Sequence, residues 1–203
     1  MPKDKVYSKS MINGVAREGG LGQELNIVDE DDNIIGVEDR DVIHEKGLLH
    51  REVHVYFVTP ERQIIFQHRA KDKDTFPDLL DATVGGHVEI GDSYEKTAVK
   101  EAFEETGISI DASELILVDK VHKLFGDNVT GKVNYAFQQE YIYIYDGKVE
   151  DLKMELGKSL GFEAWEIEDL TNISDVEKQK FISYLYDFME STLIDFINNK
   201  LKT

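Results

Sequence analysis

Gly85-Gly86-His87-Val88-Glu89-Ile90-Gly91-Asp92-Ser93, followed after six residues by Lys100-Glu101-Ala102-Phe103-Glu104-Glu105-Thr106-Gly107-Ile108, decides how the rest of the 203-residue chain is read. It sets a glycine loop before a helix. An α-helix turns about 100° per residue, so Glu101, Glu104 and Glu105 fall within roughly a 100° arc. Carboxylates at this spacing repel one another unless a cation sits among them. A hard divalent cation takes oxygen ligands, keeps water, and accepts substrate phosphates. The plainer reading is that Val99, Ala102, Phe103 and Thr106 form an apolar stripe and the glutamates its wet side, with Lys100 and Glu104 as an i,i+4 pair. Taken alone, the helix favours that reading. The punctuation favours the other: Gly85-Gly86 suits a backbone that comes close to a ligand, and Gly107 stands where a helix C-cap belongs. Asp92, three positions before Glu95, has capping-box spacing.

Gly86-x5-Asp92-x7-Lys100-Glu101-Ala102-x-Glu104-Glu105-x-Gly107-Ile108 resembles the Nudix box, with Asp92 where the family has Glu and Lys100 where it has Arg. The resemblance implies an α/β/α sandwich with a mixed sheet between helices. It also implies Mg²⁺- or Mn²⁺-dependent hydrolysis of an organic diphosphate, by attack of a metal-activated water at phosphorus. Glu101, Glu104, Glu105 and the Gly86 carbonyl would hold the cation, and Glu101 or Glu104 would be the base. In the family the Arg orients a neighbouring glutamate through a forked contact; Lys100 brings a point charge to that task.

The flanks resemble the branch of the superfamily that contains isopentenyl-diphosphate isomerase. They are Arg69-Ala70-Lys71-Asp72-Lys73-Asp74-Thr75-Phe76-Pro77, and His44 with Gly47-Leu48-Leu49-His50-Arg51. By that resemblance Arg69 and Lys73 contact the diphosphate, with His87, Glu89 and Asp92 beside them on the substrate. His44 and His50 join His87 as further metal or substrate contacts. The isomerase needs a cysteine at the position of Gly85. This chain has no cysteine, so the isomerase reading stands as an alternative without its acid. A ligand-binding sensor built on a non-catalytic Nudix domain is the other alternative.

Composition sets the limits. Hydrophobic residues make up 41% of the chain, enough for a core, and charged residues 32%. A net charge of -18 argues against nucleic acid polymers and anionic membranes as partners, and against long-range attraction of a diphosphate. The absence of cysteine removes disulfides and thiol nucleophiles and suits a cytoplasmic protein. No leader pattern and no membrane-length apolar run is seen.

Read in order, residues 1–22 form a glycine-bearing arm, residues 23–172 the Nudix domain, and residues 173–203 a helix packing on that domain or seaming a homodimer. Segments 24–29 and 34–37 flank Asp31-Asp32-Asn33 as a hairpin, and residues 39–44 suit a short helix. Strands are expected at 52–59, 64–68, 115–125 and 163–167. Val133, Tyr135, Phe137, Gln139, Tyr141, Tyr143 and Tyr145 alternate as one aromatic strand face that either stacks a base or, the favoured reading, packs on a helix, with Asp146-Gly147 as a type I′ turn signal. Ser174 with Glu177 starts one long helix bearing Phe181, Ile182, Leu185, Phe188, Met189, Leu193 and Phe196. Alternating strands and helices of this kind also predict an α/β/α sandwich. The expected partner is one small diphosphate, bound by a monomer or homodimer.

Overall fold

A computed structural model describes residues 22–73, 75–126, 131–155, 157 and 159–201. The arm expected over residues 1–22 therefore lies outside the described residues, apart from Gly22. The described residues open with β1 (Glu24–Val28) and β2 (Ile34–Asp39), an antiparallel hairpin. Its acidic turn is a hydrogen-bonded turn: the Asp29 carboxylate accepts from the Asp31 and Asn33 amides at 3.0 and 2.8 Å. Asp32 takes the left-handed conformation (φ 61°), and its carboxylate gathers Arg51, Lys120 and the Tyr94 hydroxyl. Burial pushes this carboxyl up, but the three hydrogen bonds outweigh it and hold Asp32 below the ordinary range.

Helix α1 (Arg40–Lys46) starts on an Asp39 cap and ends on Gly47, whose φ of 61° suits a residue without Cβ. Then come β3 (His50–Val58), β4 (Gln63–Arg69), β5 (Leu80–Asp81), β6 (Val84–His87) and helix α2 (Tyr94–Thr106). They are followed by β7 (Ile116–Gly126), β8 (Val133–Ile144), β9 (Ser159–Glu166) and the short helices α3 (Ile167–Thr171) and α4 (Asp175–Lys178). Helix α5 (Ser183–Phe188) continues through a π-helical stretch, Met189–Leu193, into α6 (Ile194–Lys200).

The sheet runs β5-β4-β3-β8-β7, with β6 antiparallel to β3 and β9 antiparallel to β4. Strand β3 lies parallel to β8, so the sheet is mixed. Because side chains alternate along a strand, β3 feeds two cores. Val53, Val55 and Phe57 pack with Tyr141 and Tyr145 against Ala98 and Ala102 of α2. Tyr56 and Val58 pack with Ile142 against Leu185, Met189 and Leu193 of the C-terminal segment. Helices thus cover both faces, the expected α/β/α sandwich. The aromatic face of β8 serves the α2 core. Among the described residues no helix is long and apolar enough to cross a membrane.

Three local expectations are corrected. The N-cap of α2 is Ser93, which accepts from the Lys96 amide; Asp92 instead pairs with the Lys96 ammonium at 2.5 Å. Asp146-Gly147 is not a type I′ turn, since neither residue has positive φ and the next strand, β9, pairs with β4. The long C-terminal helix is interrupted. The Ser174–Glu177 capping box forms, but residues 180–182 are drawn out along β5, where the Leu80 amide donates to the Lys180 carbonyl and the Ile182 amide to the Leu80 carbonyl. Those sheet bonds replace one helical turn.

Candidate active site

Gly85 and Gly86 lie not in a loop, as expected, but in β6, paired with His54 and Val53 of β3, and this strand meets α2 at a cavity of about 660 Å³. Its walls come from β6, α2, β3 and the segment after β4. Glu101, Glu104 and Glu105 all line it, but they differ in setting. Glu104 is exposed, Glu101 is half-buried, and Glu105 is only 6% exposed. The buried stripe of α2 is Tyr94, Thr97, Ala98, Ala102, Glu105 and Thr106, whereas Phe103, expected in the apolar stripe, is 58% exposed. A glutamate has replaced an aromatic on the inward face. The wet-side reading therefore fails for Glu105.

The glycines explain how these carboxylates fit. A Cβ on Gly86 would stand 2.6 Å from Cγ and Cδ of Glu101, closer than atoms can pack. The Gly85 amide donates to Glu105 Oε2 at 3.1 Å, and Gln67 Nε2 donates to the same oxygen at 3.2 Å. Burial pushes the Glu105 carboxyl up to about 7; the Gly85 amide opposes this, and the Glu101 charge adds to it. An oxygen-only set whose buried member resists ionisation fits a hard divalent cation, which would offset that resistance.

Beside this set stand three imidazoles. His44, His50 and His87 each offer a ring nitrogen, and these atoms lie within 4.8 Å of one another. With Nδ1 of the neutral His44 ring donating to the Val133 carbonyl (3.3 Å), its Nε2 carries a lone pair; Nδ1 of His50 meets the Leu48 carbonyl (3.0 Å), and its Nε2 lies 3.5 Å from Glu52 Oε1. His44 Nε2 is 3.0 Å from His87 Nε2, which is 3.1 Å from Glu52 Oε1. Burial holds His44 below and His87 well below the ordinary range, so both rings are neutral at pH 7. Burial pushes Glu52 up, but the His50 hydrogen bond, the neighbouring imidazoles and the Asn134 amide (2.8 Å) outweigh it.

The remaining expected site residues divide. Lys73, His87 and Glu89 line the cavity, and so does Arg69. The Arg69 guanidinium is turned to structure: it donates to Asp81 at 2.8 Å and to the Thr75 and Phe76 carbonyls. Asp92 is not among the cavity residues, nor are His50 and Lys100. Lys100 Nζ lies 2.8 Å from Glu89 Oε1, and that bond raises its pKa. The lysine thus reaches across to the loop after β6 instead of pairing with Glu104 along the helix. A guanidinium can make that contact with two N–H groups, so Lys100→Arg is expected to keep or raise kcat/KM. A loss of tenfold or more, about 1.4 kcal/mol in the barrier, would show that an ammonium is required.

Glu52, His54, Gln138 and Glu140 escaped the sequence reading. In the parallel register Glu52 stands beside Gln138 and His54 beside Glu140. Gln138 Nε2 reaches Glu52 Oε2 at 3.3 Å and His54 Nε2 at 2.9 Å. The signal was there: His50, Glu52 and His54 follow the period of two along β3, and the polar residues of β8 alternate with its aromatic ones.

A NUDIX domain family model matches residues 48–189. A Nudix hydrolase of Clostridium acetobutylicum is 32% identical over 154 residues, 74% of this chain and 73% of that protein. An isopentenyl-diphosphate Delta-isomerase of Serratia proteamaculans is 25% identical over 171 residues, 84% of this chain and 91% of that protein. With two further curated relatives the match spans 47% of their length. A crystal structure of a Deinococcus radiodurans protein has a TM-score of 0.58 at 25% identity, covering 74% of this chain and 87% of that one.

Proposed function

The chain belongs to the Nudix family, and from that premise we propose that it hydrolyses a small organic diphosphate with the help of Mg²⁺ or Mn²⁺. The observation that carries the reading is the buried Glu105 carboxylate, set with Glu101 and Glu104 on one wall of a cavity. Glu101, Glu104, Glu105 and the Gly86 carbonyl are the candidate ligands. A divalent cation held there lowers the pKa of a coordinated water and neutralises phosphoryl charge. Glu101 or Glu104 takes the proton of the attacking water, since Glu105 is committed to Gly85 and Gln67. Lys73 faces the diphosphate, and Lys100 steadies Glu89 on the loop after β6. The protein acts in the cytoplasm as a monomer or homodimer.

A second reading concerns the imidazoles. Three imidazoles whose ring nitrogens lie within 4.8 Å of one another, beside an ionised Glu52, make a mixed nitrogen and oxygen set that suits Zn²⁺ or Mn²⁺ better than Mg²⁺. Equilibrium dialysis is expected to show Zn²⁺ binding that His44→Ala weakens at least tenfold. Unchanged binding would leave the cluster as a hydrogen-bonded substrate contact.

Mass spectrometry of products from nucleoside and isoprenoid diphosphates incubated with Mg²⁺ is expected to show monophosphates. Tight binding without turnover would favour a sensor. With Gly85 in place of a thiol, no deuterium is expected to enter isopentenyl or dimethylallyl diphosphate from heavy water. Incorporation removed by chelator would show that another acid serves, and the isomerase reading would replace this one.

A further inference from the structure

The segment between β4 and β5 carries an unusual piece of backbone. Phe76 has φ of 47° and Asp78 φ of 60°, in the left-handed region that favours glycine. For a bulky residue this conformation is strained and persists only where the surroundings impose it. The surroundings here are Arg69. Its Nε donates to the Phe76 carbonyl at 3.1 Å, its Nη2 to the Thr75 carbonyl at 2.8 Å, and its Nη1 to Asp81 at 2.8 Å. One guanidinium, anchored on a sheet carboxylate, thus clamps two successive carbonyls and sets the backbone of Phe76. Of its five N–H groups, few are left for a phosphate.

The clamp brings an aromatic ring to the wall of a cavity otherwise rich in charge. Phe76 is half-buried and lies edge-on to Tyr184 of α5, with ring centroids 5.7 Å apart. Tyr184 is itself stacked on Phe125 at 4.0 Å, so the second ring is immobilised from behind. Phe76 also packs on the core that holds Leu80 and Tyr184, but packing alone does not call for a left-handed backbone. A strained ring held at a cavity wall is better explained by what it faces.

We propose that the Arg69-clamped turn is the specificity element of the site: Phe76, backed by Tyr184, packs against a flat, unsaturated group attached to the diphosphate. Arg69 is a positioning residue that acts through Phe76. A nucleobase and an allylic unit share this chemistry, because both present a π face. The inference rests on the hydrolase reading for its substrate, but it concerns residues outside the carboxylate set.

The test is Phe76→Gly, which removes the ring and adopts the left-handed backbone at no cost, so that loss of contact is not compounded by a rearranged turn. Three substrates are compared: ADP-ribose for the base, dimethylallyl diphosphate for the allylic unit, and ethyl diphosphate, which has no π face. In Phe76→Gly, kcat/KM for at least one of the first two is expected to fall tenfold or more, mainly through KM, while that for ethyl diphosphate stays within twofold. Whichever of the two falls identifies the source. Arg69→Gln is expected to lower the same substrate selectively, with smaller effect. Equal losses on all three substrates, or none, would overturn the proposal. If the parent hydrolyses none of them, the hydrolase reading fails. Titration calorimetry then decides the present point: preference of the parent for a π-bearing diphosphate, lost in Phe76→Gly, upholds it, and equal binding of all three overturns it.

Discussion

Glu105→Gln is expected to lower kcat by two or more orders of magnitude, about 2.7 kcal/mol in the barrier, while making the metal-free protein more stable above pH 7. The two effects have one cause. Glu105 lies on the inward face of α2, 6% exposed, with its carboxyl pushed up to about 7 by burial. In the unfolded chain the same group ionises near its ordinary 4.5. Below pH 4.5 both states hold the proton and the site costs nothing. As pH rises towards 7 the unfolded state loses its proton first, so stability falls; above 7 the loss is complete and constant. A gap of about 2.5 pH units corresponds to about 3 kcal/mol. Glutamine places a carbonyl oxygen where Oε2 stands, keeping the Gly85 and Gln67 hydrogen bonds, and has no charge to bury. The melting temperature of the variant in EDTA should therefore exceed that of the parent by roughly 6–12 °C at pH 8 and match it near pH 4. The cation would lose a charged ligand, and activity would go with it. A variant that melts lower at pH 8 while keeping its turnover per folded molecule would make Glu105 structural.

That trade explains what was legible in the chain and what was not. The box residues are local: a glycine pair, a cap and a helix carry their spacing in the sequence, and α2 forms between Ser93 and Gly107 with its glutamates on the cavity wall. Hairpin β1–β2 and the alternation of β8 are local in the same sense. The burial of Glu105 was not legible, because only the packing of α2 on β3 and β6 decides which face turns inward. Nor was the polar row Glu52, His54, Gln138 and Glu140, since its meaning comes from the parallel pairing of strands some eighty residues apart. The C-terminal helix was misread for a related reason. Its period of apolar residues is real, and all of them but the half-buried Phe196 are buried, but backbone bonds to Leu80 straighten residues 180–182 and no helical pattern signals that competition. Arg69 shows the limit most plainly: a cation beside a glycine loop suggests phosphate, while its actual partners are Asp81 and two carbonyls.

Gly86→Ala should reduce kcat at least a hundredfold and leave the fold in place. Gly86 is paired with Val53 in the sheet, so its backbone position is fixed, and its φ lies outside the left-handed region, so alanine meets no conformational penalty there. The methyl group itself is the problem. It would stand 2.6 Å from Cγ and Cδ of Glu101 and 2.9 Å from Oε1, and carbon atoms do not approach so closely. The helix cannot retreat, because Ala98 and Ala102 on either side are fully buried against the sheet. The strain is relieved by swinging the Glu101 carboxylate away from β6, at a stability cost of about 1–3 kcal/mol. Glu101 then leaves the wall it shares with Glu104 and Glu105, and whether it serves as base or as ligand the reaction loses it. Gly85→Ala is the control. Its methyl would meet His54 Cδ2 at 3.1 Å, a contact that a few tenths of an ångström can relieve, so its kcat should fall less than tenfold. Steady-state kinetics with Mg²⁺ on both variants, each checked by circular dichroism, would decide the matter. Equal activity in the two would mean that the approach of Glu101 to Gly86 has no part in the chemistry.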